Sequence, residues 1–414
     1  MHWLEFAVRW LHVITAIVWI GSSFYFIALD LGLRSNKNLP FGVHGEEWQV
    51  HGGGFYHIQK YMVAPEKLPE HLTWFKWESY FTWVSGFALL AIVYYGGADL
   101  YLINHEKLEL PKFWAIIISL SSIFGFWIFY NYLCKSKIGE NSNFLMLFLF
   151  LILVFLSWGF HQVFTGRAAF LHLGAITATV MSANVFLIII PNQKVVVENL
   201  KSGKKPDAIY GKIAKQRSTH NNYLTLPVIF LMISNHYPLA FATDYSWIIA
   251  SLVFLMGVTI RHYFNVLHSK NENLIWTWFL TILIFLIIIF ISLLPQYVNK
   301  EKVDAVASKL EQKVSINFLS DHKNKLLTHT SFDQVSEIIM DRCSMCHAKE
   351  PIWENMIVAP GNVNLETKEE ILFHAENIFI YSFLSHAMPP GNITYMEKEE
   401  RNIIADWYKL KNIN

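Results

Sequence analysis

The chain has 414 residues, of which 53% are hydrophobic, 16% aromatic and only 16% charged. A soluble protein of that size could not bury so much apolar surface, whereas a bilayer accepts it. Thirty-three Lys and Arg against 32 Asp and Glu leave a net charge of +1, which excludes a nucleic-acid footprint and an acidic tail.

Eight apolar stretches are long enough to cross about 30 Å of hydrocarbon as helices: residues 6–30, 79–96, 113–133, 144–165, 169–191, 223–242, 246–267 and 274–295. No small-residue cleavage site follows the first, so it reads as a retained span and not a signal peptide. Pro227 and the polar Ser234-Asn235-His236 interrupt the sixth. The connection between residues 35 and 76 is long and carries the unusual His51-Gly-Gly-Gly-Phe-Tyr-His57; a loop of that length is expected to be functional. Loops after spans one, three, five and seven carry about fifteen Lys and Arg, and those after spans two, four and six about three. The bias places the first set of loops in the cytoplasm and both termini outside.

Residues 296–325 are charged and weakly periodic, and read as a linker. From 326 to 414 the composition is that of a small soluble helical domain. The expected fold is therefore all-α: a polytopic bundle over residues 1–295, a periplasmic linker and a C-terminal domain.

Two of the three cysteines stand in Cys343-Ser-Met-Cys346-His347, so no disulfide framework is expected. The pattern is that of a covalently attached c-type haem: two thiols take the porphyrin and the adjacent histidine ligates iron. Phe332, Val335, Ile338 and Ile339 lie on one face of a helix leading into it. About forty residues later comes His386-Ala-Met388-Pro-Pro390, followed by a helical stretch. That order is the layout of a class I cytochrome c, with Met388 opposite His347 on the iron. A zinc site would need two further ligands at suitable spacing, and none is evident.

Several stretches resemble the bacterial membrane-bound urate hydroxylase family: Trp10-Leu-His-Val-Ile-Thr-Ala-Ile-Val-Trp-Ile-Gly-Ser-Ser-Phe-Tyr, Val50-His-Gly-Gly-Gly-Phe-Tyr, Trp74-Phe-Lys-Trp-Glu, Ile190-Pro-Asn-Gln-Lys, His220-Asn-Asn-Tyr-Leu-Thr-Leu-Pro and Met232-Ile-Ser-Asn-His-Tyr-Pro. That family also ends in a cytochrome c domain, so the resemblance covers essentially the whole chain. It implies oxidation of urate to 5-hydroxyisourate at the cytoplasmic membrane. Electrons would leave through the haem toward a terminal cytochrome oxidase or a soluble cytochrome, without peroxide.

Urate is a planar monoanion, and its site calls for a cation, amide partners and an aromatic face. Arg217, His220, Asn221, Asn222 and Tyr223 offer that chemistry at the cytoplasmic mouth of span six, with His51, Phe55 and Tyr56 on the same side. His220 and His51 are candidate bases. Arg217 obeying the positive-inside bias, and an Asn pair capping a helix, would account for the same residues.

Urate loses two electrons and one haem accepts one, so a haem b inside the bundle is a further expectation. His12, His161, His172 and His236 are its candidate ligands; hydrogen bonding between helices is the ordinary alternative. Span one also looks like the first helix of a membrane protoporphyrinogen oxidase family with a haem-linked histidine. The rivals are a non-catalytic electron-transfer subunit and an oxidase of another small molecule, such as a different purine.

Overall fold

The computed structural model describes residues 2–298, 322 and 325–410, apart from 64, 66, 67, 105, 106, 242, 271, 354, 355, 357 and 358. Most of the expected linker and the last four residues thus lie outside the described residues. Two helical assemblies follow each other along the chain.

The first opens with α1 (His2–Gly32), whose Trp3, Phe6, Trp10, Ile14, Ile17 and Val18 all face outward. An exposed apolar face of that length belongs against lipid. The expected loop between 35 and 76 instead holds an antiparallel hairpin, β1 (Val43–His51) and β2 (Gly54–Tyr61), a local correction to the all-α expectation. Its turn is Gly52-Gly53, with φ of 59° and 80°, a left-handed pair that glycine adopts without steric cost. The hairpin lies on the end of α1: Tyr25 donates to Gln49 Oε1 at 2.8 Å and Lys60 pairs with Asp30 at 2.6 Å.

Next, α2 (Trp77–Leu89) runs into a π-helix (Leu90–Tyr95), followed by the short α3 (Ala98–Tyr101). Then come α4 (Lys112–Lys135), α5 (Ser142–Val163) and α6 (Gly166–Ala183), which continues through a π-helix (Asn184–Ile189) into α7 (Ile190–Lys201). The bundle closes with α8 (Ala208–Ile233), α9 (Pro238–Phe241), α10 (Ser246–Lys270) and α11 (Ile275–Val298). Its core is apolar and tight, with Leu102, Ile103, Phe164, Phe170, Leu173, Ile176 and Leu231 essentially sealed from solvent.

Six of these rods are long and apolar enough to cross a membrane: α1, α4, α5, the α6–α7 rod, α10 and α11. The other two expected spans are helical but differ in kind. The second, α2 with the π-helix that continues it, ends at Tyr95 and is not among the six. The sixth, α8, carries a polar first half and stops at Ile233; Pro238 drives Tyr237 out of helical geometry (φ −128°, ψ 79°). Pro227, inside α8, is accommodated by a glycine opposite: a Cβ on Gly257 of α10 would lie 2.5 Å from the proline ring.

The second assembly contains α12 (Phe332–Arg342), α13 (Lys368–Phe373), α14 (Ala375–Ile378) with a π-helix (Phe379–Leu384), and α15 (Lys398–Tyr408). The apolar face read from the sequence, Phe332, Val335, Ile338 and Ile339, is buried as expected. Phe332 stacks on Trp407 at 5.5 Å, and the Trp407 indole donates to the Leu326 carbonyl at 3.0 Å. Arg342 reaches across to both oxygens of Glu400 at 2.9–3.1 Å, tying α12 to α15. Hydrogen bonding to that carboxylate raises the Arg342 guanidinium above its ordinary pKa.

Trp407 is fully buried and supplies both the stack and the hydrogen bond. Trp407→Ala should therefore cost this assembly about 3–5 kcal/mol. Hydrogen exchange on the full chain should show α12 and α15 losing protection by that amount while α6 and α8 keep theirs. Unchanged exchange would mean that Trp407 is not central to this core.

Candidate functional site

Two regions at opposite ends of the bundle concentrate chemistry that packing alone does not explain. The first surrounds the polar half of α8. Arg217 is 1% exposed, its Nη2 donates to Asn131 Oδ1 at 2.9 Å, and its guanidinium lies 4.8 Å above the Tyr130 ring. Its Nε and Nη1 are buried without hydrogen-bond partners. None of the ion pairs among the described residues involves it. A buried guanidinium with two idle donor positions is costly unless something anionic completes it.

His220, one turn further on, has Nδ1 2.7 Å from the Tyr130 hydroxyl and a buried Nε2 without a partner. A chain of amides fixes this pair. Asn221 Nδ2 donates to the Met181 carbonyl, which orients its Oδ1 to accept from Asn184 Nδ2; Asn184 Nδ2 also donates to the Tyr130 hydroxyl oxygen. Asn222 Oδ1 accepts from Asn265 at 2.8 Å, leaving Asn222 Nδ2 and Asn265 Oδ1 buried and unpartnered. Tyr223 pairs with His262 Nδ1 at 3.1 Å, and the adjacent Arg261 lies 4.0 Å over the Phe24 ring.

The cluster thus joins Arg217, His220, Asn221 and Asn222 with four residues that sequence reasoning missed: Tyr130 and Asn131 on α4, Asn184 in the π-helix, and Asn265 on α10. Their signal was a polar side chain inside an otherwise apolar helix. The hairpin residues are placed differently. His51 is exposed at the turn, Phe55 is 80% and Tyr56 54% exposed, and all three lie outside the buried cluster. Nearby, His57 donates to Glu46 at 2.6 Å and stacks on Trp48 at 4.1 Å; its hydrogen bond holds the Glu46 carboxyl below the usual range.

The second region is a cavity of about 490 Å³ where the C-terminal assembly meets the other end of the bundle. Cys343, Cys346, His347 and Met388 all line it. The His347 Nδ1–H donates to the Val363 carbonyl at 2.8 Å, which leaves Nε2 with its lone pair for a metal. Met388 is held from both sides. Its N–H donates to the Tyr381 carbonyl at 2.8 Å, and its own carbonyl accepts from Arg401 Nη1 at 2.8 Å. Buried Arg401 also donates to the Ser382 carbonyl and to Asn392 Oδ1. Burial pushes the Cys343 thiol up to about 12 and the Cys346 thiol upward as well. Burial, reinforced by nearby Arg401, pushes His386 down to about 4.

Two thiols, an oriented imidazole and a methionine whose backbone is fixed on both sides, all around one cavity, fit a covalently bound haem. Among the described residues no group of three or more His, Cys, Asp or Glu could hold a metal ion, so a zinc reading of the same cysteines lacks a donor set.

A haem b inside the bundle fits less well. His172 uses both ring nitrogens, Nδ1 donating to the Ala168 carbonyl at 2.7 Å and Nε2 meeting Ser119 Oγ at 2.6 Å. His161 contacts Ser246 Oγ at 2.8 Å and, with exposed His236, lines the cavity just described. His12 lies against α2, with Nδ1 3.0 Å from the Thr82 carbonyl and its ring where a Cβ on Gly86 would fall. His12 and His172 are each engaged by neighbouring helices, away from the cavity that His161 and His236 share, and the residues present do not fit a haem held between His12 and one of the others.

Neither the curated proteins nor the solved structures compared with the chain match it. A family model does, across the whole bundle and with it the Arg217 cluster. It is described as urate oxidase N-terminal and matches residues 1–292, well over half of the sequence, so the chain belongs to that family.

Proposed function

We propose that this protein is a membrane-bound urate hydroxylase that sends its electrons out through a c-type haem. The reaction is urate plus water giving 5-hydroxyisourate, two protons and two electrons. The electrons pass singly to a terminal cytochrome oxidase or a soluble cytochrome. In this reading residues 1–295 form the catalytic membrane domain with eight spans, 296–325 a periplasmic linker and 326–414 a cytochrome c domain. Both termini lie outside the cytoplasmic membrane. The observation that carries the catalytic half is Arg217, a buried cation with two unused donors and no carboxylate, inside a bundle of the urate oxidase N-terminal family.

Urate, arriving from the cytoplasm, completes that site. Arg217 offsets its charge, the Tyr130 ring offers a face, and Asn222 Nδ2, Asn184 Oδ1 and Asn265 Oδ1 are the idle amide groups available to its ring nitrogens and oxygens. His220 Nε2 is the titratable atom facing no partner, and it takes a proton from urate or from the attacking water. Doing so requires the tautomer in which Nδ1–H donates to Tyr130, so Tyr130 positions the base. His51, the other candidate base, is exposed at the hairpin turn and lies outside this cluster. Haem c, held by Cys343, Cys346, His347 and Met388, supplies a one-electron acceptor at the far end of the bundle. A non-catalytic electron carrier would not need the unsatisfied polar groups around Arg217, which cost stability when nothing fills them.

Membranes containing the protein and its oxidase should consume oxygen when urate is added, stop on cyanide addition and release no hydrogen peroxide. Peroxide formed in proportion to urate would overturn the proposal.

Arg217→Gln should raise the dissociation constant for urate about 10–100-fold, the loss of a charge-assisted hydrogen bond. His220→Gln should lower turnover about 10²–10⁴-fold with less effect on binding. Tyr130→Phe should resemble a weaker His220→Gln. Equal kcat and KM in all three variants would remove the site from this cluster.

Cys343→Ala with Cys346→Ala should abolish haem staining on a denaturing gel. Met388→Ala should keep the stain and lower the reduction potential. Staining of the double variant at full strength would defeat the haem assignment.

A further inference from the structure

The cavity at Cys343, Cys346, His347 and Met388 is not enclosed by the C-terminal assembly alone. Its other wall is the outer end of the bundle, including Tyr101, Lys107, His161, Arg167, Asn235 and Asp244. The two assemblies touch closely. Gly391, at φ 58°, lies against the chain at Ile103, where a Cβ would fall 2.6 Å from the Ile103 carbonyl oxygen and 3.3 Å from Thr165 Cγ2. The Tyr395 hydroxyl reaches Glu109 at 3.5 Å.

The cations on that wall are out of place by the rule that oriented the chain. The loops after spans two, four and six contain only Lys107, Lys112 and Arg167. Lys112 is paired with Asp99 at 2.5 Å. The other two both line the cavity. Arg167 is held by neutral groups: Nε donates to Asn235 Oδ1 at 3.3 Å, and the guanidinium lies 5.4 Å over the Tyr101 ring. Among the described residues, no carboxylate forms an ion pair with it. The other cation facing the cavity from the C-terminal side, Arg342, is already bound to Glu400.

We propose that the outer end of the membrane bundle is the second half of the haem c site, with Arg167 as the cation that balances the carboxylates of the porphyrin. The inference rests on the haem reading above and adds a cofactor-binding residue in the membrane domain. It gives the outer cations a reason to stand against the positive-inside bias. It also holds the haem against the bundle, on the side from which substrate electrons come. A porphyrin carries two carboxylates, and a guanidinium suits a carboxylate through paired N–H donors. A nearby positive charge also favours the reduced, less positive iron.

The test is a potentiometric titration of the haem in the full chain, comparing wild type with Arg167→Gln and Arg167→Lys. The glutamine variant should keep its covalent haem stain and titrate at a lower midpoint potential; the lysine variant should recover most of the difference. Identical potentials in all three overturn the inference and leave the haem assignment standing. A wild-type chain without covalent haem fails the underlying reading instead. Should the glutamine variant not accumulate, nitroxide labels at Glu109→Cys and Tyr395→Cys in the otherwise unchanged protein decide the matter. A single short distance by pulsed electron paramagnetic resonance supports the shared site. A long or broad distribution, with the two assemblies apart, overturns it.

Discussion

A guanidinium sealed inside a helix bundle without a carboxylate is the constraint from which the rest of this structure follows. Burying an unpaired charge is among the most expensive acts in a folded protein. Arg217 is nevertheless 1% exposed, with an aromatic ring and one amide oxygen for company. The polar half of α8 exists to surround it, and this is why α8 does not look like the other long helices. The matching residues on α4, the π-helix after α6 and α10 give their amides to one another until a few donors and acceptors are left over. In the proposed reading those leftovers receive a small anionic ligand with amide-like edges. Membership of the urate oxidase N-terminal family says which one to try first.

The second organising fact is separation. The Arg217 cluster and the cysteine-lined cavity lie at opposite ends of α4 and α10, both long enough to span a bilayer. In the proposed reading the substrate is met from the cytoplasm and its electrons leave on the other side, taken by the haem rather than by oxygen at the substrate. That arrangement accounts for an oxidation without peroxide. The docking of Gly391 on Ile103 holds the cavity against the bundle at the exit end.

Much of this was legible in the sequence, for physical reasons. Apolar runs such as α11 have one stable home, and the spacing of Cys343, Cys346 and His347 brings these three side chains to one cavity. The face of α12 could be read because a period of 3.6 is visible over four apolar positions. The hairpin was missed although Gly52-Gly53 between two short strands is a turn signal; the long connection drew attention to its length rather than its alternation. Tyr130, Asn131, Asn184 and Asn265 could not be assembled from sequence, because they come from three elements and meet only through helix packing. The histidines illustrate a different limit of sequence reading. His12, His161, His172 and His236 share a depth along their helices, but depth does not fix direction: in the structure the rings of His12, His172 and His161 meet Thr82, Ala168 and Ser246.

The most direct measurement is anaerobic. Urate added to the purified full-length protein, without oxygen or another acceptor, should reduce the c-type haem, seen as growth of its reduced absorption bands. Xanthine or hypoxanthine added in the same way should leave it oxidised. A haem that remains oxidised with urate, yet is reduced at once by dithionite, would contradict the account at its centre.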